Sequence, residues 1–326
     1  MISCTFCGAE LKPSSNETIV TCPYCGTTLR IDGKIIKLHH MLEVLYTQQD
    51  AYDVLLQWVS KQVGAPPDVA AKSKLVQQKL TYYPFWIIRH EAYTGYTGLD
   101  PIYEYSDMDT YLSRADVKPY CTISCTWKKE NDEIKRSYTH AIVGREDIPR
   151  ALKDYRIPLR RKEFFDIEIA KKHGGIILNS LVDRNQAEAI ARQRVYDKQT
   201  SLIHKETKKI EKRKDKMNPK EFSYIHVPIW LLKYKYGLRK YTALVDAASG
   251  RVIYTEYPRS PIFRIISTIL GLVFFGVAGG SGYACIFLET PYFIGKVGSL
   301  LISIGFVILG AYSIYQAFLL KPAKEK

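Results

Sequence analysis

The chain has 326 residues and carries 47 Lys and Arg against 33 Asp and Glu, a formal charge of +14. Charged residues make up 25% of it and apolar residues 46%, which excludes a disordered or low-complexity chain and leaves enough apolar mass for a real core. The excess of base suits a partner with negative charge, either an anionic lipid surface or a nucleic acid, and does not choose between them.

The N-terminus holds two matching knuckles, Cys4-Thr-Phe-Cys7-Gly8 and Cys22-Pro-Tyr-Cys25-Gly26. Two residues between cysteines let both thiolates of a turn point at one ion, and a glycine after the second permits the tight backbone. Thr18–Thr21 and Thr27–Ile31 read as the strands of a hairpin between and after the knuckles. Four thiolates close a tetrahedral shell and leave no position for substrate. Cys4, Cys7, Cys22 and Cys25 are therefore predicted to hold one structural Zn2+ in a rubredoxin-like ribbon over residues 1–35. A cysteine pair beginning at residue 4 has no apolar region before it, so no signal peptide is expected. His39 and His40 follow a shell already filled by cysteines and are expected on the surface. Cys121 and Cys125 fall on one face of a strand-like run, and Cys285 sits in an apolar stretch.

Residues 36–258 are expected to form a cytosolic α+β body with antiparallel strands, with sub-units over 36–145 and 146–258. Leu38–Val63 has the apolar spacing of an amphipathic helix, ended by Gly64-Ala-Pro-Pro67, and Asp68–Leu80 reads as a second helix capped by Asp68. Pro84-Phe-Trp86-Ile-Ile-Arg89 and Pro228-Ile-Trp230-Leu-Leu-Lys233 share a pattern that reads as a degenerate internal repeat of a strand entered through Pro-x-Trp. The two tryptophans are expected as core anchors. Pro119–Trp127 and Ile134–Val143 flank the polar stretch Lys128–Glu133 and predict a β-hairpin turning there. Asn179–Met217 reads as one long helix with Asp183 as its cap, its charged end solvated. Strands are predicted over Ile225–Tyr236, Lys240–Asp246 and Arg251–Tyr257, with a turn at Ser249-Gly250.

Residues 262–320 close the chain as a two-helix transmembrane hairpin. Ile265–Leu288 and Val297–Leu320 contain no charge. Each helix would be roughly 36 Å long, enough for a hydrocarbon core of about 30 Å. Arg259 and Arg264 precede the first run, and Lys321, Lys324 and Lys326 follow the second. Positive flanks stay inside, so both termini and the body are expected in the cytoplasm of a cell membrane protein that spans twice. Gly276 and Gly280 make a GxxxG, with the small pair Ser267 and Gly271 one step earlier, a spacing that lets helix backbones approach, most simply within the hairpin.

No P-loop, HExxH or kinase signature occurs, and no catalytic residue is assigned. Arg160, Arg161 and Lys162, with Lys208, Lys209, Lys212, Arg213 and Lys214, are the candidate contacts to an anionic surface. The ribbon knuckles, the Pro-x-Trp strand, the run from Val227 to Ile253 and the terminal hairpin together resemble a family of prokaryotic zinc-ribbon membrane proteins. Its members are often labelled TFIIB-type zinc ribbon or primosomal-helicase-like. The helicase label implies an ATPase, for which this chain has no P-loop; the resemblance implies the ribbon cysteines and the architecture. The expected function is a non-enzymatic membrane-anchored adaptor or scaffold that binds a cytosolic protein. The alternatives are a membrane-tethered nucleic-acid binder and an accessory subunit of a membrane enzyme or transporter, and a homo-oligomer is compatible with each.

Overall fold

The computed structural model describes residues 2–105, 123–287 and 293–318. The elements in chain order are β1 (Ile2–Ser3), β2 (Glu10–Leu11), β3 (Ile19–Thr21), β4 (Thr28–Arg30), β5 (His39–Leu42), α1 (Gln48–Ser60), α2 (Val69–Lys72), β6 (Lys74–Tyr105), β7 (Ile123–Val143), β8 (Lys162–Phe164), α3 (Ile167–Lys172), β9 (Ile176–Ile177), α4 (Arg184–Glu206), β10 (Lys209–Tyr236), β11 (Arg239–Asp246), β12 (Val252–Thr255), α5 (Pro261–Phe287) and α6 (Phe293–Phe318). The class is α+β with antiparallel sheets. The chain divides into two compact units made of alternating stretches, 1–40, 84–148 and 179–226 in one, and 41–83, 149–178 and 227–326 in the other. The expected division at residue 145 does not coincide with them.

The first unit holds the ribbon and a long β-arm. β6 pairs antiparallel with β7 from Phe85↔Val143 to Tyr105↔Ile123. Trp86, Ile88, His90, Ala92, Thr94 and Tyr96 are buried at every second position, the period of a strand with one covered face. Helix α4 belongs to the same unit. Its buried residues Ala187, Ala191, Val195, Gln199 and Ile203 recur every fourth position, and a capping box of Asp183 and Gln186 starts it.

The second unit has its core in Met41, Leu55, Val59, Leu80, Tyr82, Trp230, Leu232, Tyr234, Val245 and Val252, among others. β10 pairs with β11 from Ile229↔Asp246 to Tyr236↔Arg239, and β11 pairs with β12. A capping box of Thr47 and Asp50 starts α1, whose Ala51, Tyr52, Leu55, Leu56 and Val59 face this core.

The two Pro-x-Trp strands carry the same hydrogen-bond set. In the first unit Gly144 N–H donates to the Pro84 carbonyl at 2.8 Å, and the Leu181 and Val182 N–H groups donate to the Gly144 carbonyl at 2.7 and 3.0 Å. The Trp86 indole N–H donates to the Val182 carbonyl at 3.0 Å, directly before the α4 cap. In the second unit Ala247 N–H donates to the Pro228 carbonyl at 3.0 Å, and the Leu45 and Tyr46 N–H groups donate to the Ala247 carbonyl at 3.0 and 2.9 Å. The Trp230 indole N–H donates to the Tyr46 carbonyl at 3.0 Å, directly before the α1 cap. Each tryptophan thus fixes the entry of a helix, and each unit takes its helix from the opposite half of the chain to its Trp strand.

Several local expectations are corrected. The stretch predicted as a helix from Leu38 begins as strand β5, and α1 starts only at Gln48. The second helix is the single turn α2, followed at once by β6. Lys128–Glu133 is no turn; it lies mid-strand in β7, paired with Gly95–Asp100. The predicted helix to Met217 stops at Glu206, and the charged run Lys209–Lys216 is strand β10. Cys121 lies outside the described residues, as do Pro291 and the lysines after α6.

Helix α5 is long and apolar enough over Pro261–Tyr283 to cross a membrane, whereas α6 contains a shorter apolar stretch, Leu300–Tyr315, among the described residues. The two helices pack antiparallel. Ser303 Oγ donates to the Ala278 carbonyl at 2.7 Å, and the Phe274 and Phe306 rings lie 5.9 Å apart. A Cβ on Gly271 would fall 2.6 Å from Ile314 and 3.0 Å from the Gly310 carbonyl, so the absence of a side chain there permits the contact. Gly276 and Gly280 differ from expectation: a Cβ on either would meet open space, so the helix contact uses Gly271 and Gly310 instead.

Candidate metal centre

The ribbon is built by two equivalent knuckles. Gly8 N–H donates to the Cys4 carbonyl and Gly26 N–H to the Cys22 carbonyl, both at 2.9 Å. Both glycines have positive φ, +75° and +74°, which a residue with a Cβ rarely adopts. The turns bring Cys4, Cys7, Cys22 and Cys25 together, with all four Sγ atoms within 4.8 Å of one another. Cys4 and Cys25 Sγ are 3.7 Å apart, as are Cys7 and Cys22 Sγ. A tetrahedron of metal–thiolate bonds of about 2.3 Å has edges of about 3.8 Å, so the donor set fits one tetrahedral ion. β3 and β4 pair behind the knuckles, and among the described residues Leu11, Val20 and Leu29 with Cys4 and Cys22 form the ribbon's buried core, with Ile2, Ala9 and Cys25 packed against it.

The ribbon is tied to the rest of its unit. Thr18 and Ile19 N–H donate to the Ser180 carbonyl, and Thr21 N–H donates to Asn179 Oδ1 at 2.9 Å. A buried polar chain runs from Thr21 Oγ1 to Thr28 Oγ1 at 3.1 Å, on to His39 Nδ1 at 2.7 Å, and from His39 Nε2 to His226 Nδ1 at 2.7 Å. His39 and His40 are therefore buried strand residues rather than the surface residues expected, and His40 Nδ1 meets Ser223 Oγ at 2.8 Å. Burial pushes His39 well below the usual imidazole range, with His226 and His40 adding to the effect. Spacing gave no sign of this chain, because its members come from three separated segments.

The candidate anionic-surface residues fall in both units. Arg160, Arg161 and Lys162 are exposed in the second. Lys208, Lys209, Lys212 and Lys214 are exposed in the first. Arg213 points the other way along β10: its guanidinium bonds Asp215 at 2.8 Å and Thr200 at 2.5 Å and lies 3.8 Å over the Tyr196 ring. It is spent on docking α4 and is not a free surface cation.

Beneath α4 lies a layer of buried polar side chains that the sequence reading passed over. His90 pairs with Tyr138 and Ile88 with His140 across β6 and β7, which puts both histidines on the covered face. Both ring nitrogens of His90, Nε2 of His140, the Tyr138 hydroxyl and the Gln199 amide have no hydrogen-bond partner among the described residues. Burial lowers both histidines, His140 to about 4, with Lys198 and Arg194 of α4 acting in the same direction. On His90, Glu188 raises and Arg192 lowers the affinity for the proton. Depressed folded-state values mean that the unfolded chain binds more protons below about pH 6.5. Stability should therefore fall as pH drops from about 6.5 toward 4, by at most about 1.4 kcal/mol per pH unit per histidine. Melting curves across that range check this: His90→Leu with His140→Leu should flatten the slope, and an unchanged slope would refute it.

Comparison with protein families, curated proteins and solved structures finds no match to the chain.

Proposed function

We propose that the chain is a non-enzymatic adaptor, anchored in a membrane by α5 and α6 and holding a structural zinc ion in the ribbon, which binds a cytosolic protein partner. One observation carries this reading. Phe6 and Tyr24 occupy the same position in the two knuckles, immediately before Cys7 and Cys25, and are 72% and 68% exposed. Large aromatic side chains on a rigid, metal-fixed turn lose little entropy on contact, and such residues dominate protein interfaces. A zinc shell filled by four thiolates has no open position for substrate, which agrees with a contact module rather than a catalyst. Positive residues before α5 and after α6 favour a two-span hairpin with body and termini in the cytoplasm.

A photo-crosslinking residue at position 6 or 24 of the full chain, activated in cells, tests the contact. Discrete protein adducts from both positions, absent from a control position such as Lys153, are the expected outcome. Crosslinks to lipid alone, or none above the control, would refute it.

A second reading, a membrane-tethered nucleic-acid binder, draws on Lys212, Lys214 and Lys216, exposed at alternate positions of β10. Strand geometry spaces them by about 6.7 Å along one face, close to the rise between phosphates of an extended strand. Its affinity would fall steeply with salt. No binding to single-stranded DNA or RNA at low salt would remove it.

A further inference from the structure

The second unit presents a basic and apolar rim around the start of α5. The turn between β10 and β11 is Gly237-Leu238, with Gly237 at φ +59° as a two-residue hairpin turn requires. Leu238 at its tip is 96% exposed, and Lys235, Arg239 and Lys240 beside it are exposed as well. A fully solvated leucine at the tip of a rigid hairpin, flanked by three cations, has no role in the core of its unit.

The rim is continuous with the membrane helix. Ser260 N–H donates to the Gly64 carbonyl at 2.8 Å, and Arg259 donates to the Val63 carbonyl. The Arg259 guanidinium lies between the Tyr257 and Phe263 rings, 5.0 and 4.9 Å from their centroids. This clamps the loop after α1 to the first turn of α5, and Val63 in that loop is 76% exposed. Ala243 pairs with Thr255 and Glu256 N–H donates to the Thr242 carbonyl at 3.0 Å, so the chain leaving β12 for α5 runs toward the end of the sheet where the β10–β11 turn lies. Arg264, in the first turn of α5, is half-buried, and its Nε is buried without a hydrogen-bond partner among the described residues. Apolar tips at one level, ringed by Lys and Arg and fixed to a membrane-crossing helix, match the chemistry of an interfacial anchor.

We propose that the β10–β11 hairpin tip and the Val63 loop dock on the leaflet that α5 enters. Leu238 and Val63 dip below the headgroups, and Lys235, Arg239, Lys240 and Arg264 bind headgroup phosphates of anionic lipid. This rests on the membrane-anchored reading. It adds that the second unit is seated on the bilayer and not merely tethered to it, and that the seating depends on lipid charge.

The test uses the full chain with Leu238→Cys, in a background of Cys121→Ser, Cys125→Ser and Cys285→Ser, labelled with an environment-sensitive fluorophore. It is reconstituted in vesicles of phosphatidylcholine, or of phosphatidylcholine with phosphatidylglycerol, and insertion is checked by resistance to alkaline extraction. The proposal expects blue-shifted emission, quenched by brominated lipid, stronger in the anionic vesicles and reduced there by Lys235→Gln, Arg239→Gln and Lys240→Gln together. Inserted protein with water-like emission in both vesicles would overturn the seating and leave the anchor intact. Equal quenching in both lipids, untouched by the three glutamines, would overturn the role of headgroup charge. Protein removed by alkali would overturn the anchor itself, and the seating with it.

Discussion

Cys22→Ser, or removal of the metal with a chelator, should unfold the ribbon while leaving α5 inserted in the membrane. Cys22 is fully buried, and its Sγ lies 3.7 Å from that of Cys7. Three aliphatic side chains and two of the ligands make up the buried part of the ribbon core, with Ile2, Ala9 and Cys25 partly buried against it, too little apolar area to hold the fold by itself. Structural zinc contributes apparent binding energies of about 10–16 kcal/mol in comparable sites, so losing one thiolate removes most of what orders these residues. The expected readouts are loss of stoichiometric zinc and loss of amide protection over β3 and β4. Some loosening should pass along Thr28, His39 and His226, because that chain ends on the ribbon strands. Unchanged protection in the metal-free protein would show that the packing against Ser180 and Asn179 suffices.

Trp86→Ala and Trp230→Ala should each cost about 3–5 kcal/mol, the usual penalty for emptying a buried aromatic site. The two losses should appear at different helices. Trp86 holds the carbonyl before the α4 cap, and Trp230 holds the carbonyl before the α1 cap. Hydrogen exchange should therefore accelerate first over Arg184–Glu206 in the Trp86 variant and over Gln48–Ser60 in the Trp230 variant. Equal acceleration of both helices in both variants would mean that the two locks are not independent. Phenylalanine at either position keeps most of the apolar volume and loses the indole N–H, so it should cost about 1–2 kcal/mol.

The parts of this fold legible in the sequence are those where chemistry leaves one local solution. Two CxxCG turns have few uses other than a metal, and α5 carries an apolar run long enough to cross a membrane. The last three strands were readable because Ile225–Tyr236 and Tyr241–Asp246 combine β-branched and aromatic residues around a glycine turn. The β-arm was not legible, for a physical reason. Residues 126–133 are exposed, so nothing in that stretch of β7 repeats with an apolar period, and Lys-Glu-Asn-Asp reads as a turn. Likewise Lys209–Lys216 alternates charge with charge, and only its pairing in a long sheet makes it a strand. The buried histidines escaped because a polar residue on a covered face breaks the pattern by which covered faces are found. Gly276 and Gly280 show the converse limit: a packing motif specifies a close approach, and the partner helix decides which glycine uses it.

The most direct test of the adaptor account is affinity purification of the tagged full chain from its native membrane in mild detergent, with nuclease, beside a Phe6→Ala, Tyr24→Ala variant. The account predicts a fixed set of proteins that survives nuclease and falls at least about tenfold in the variant, the loss expected for two interface anchors of about 1 kcal/mol or more each. Partners that vanish with nuclease, or that the variant retains in full, would contradict it.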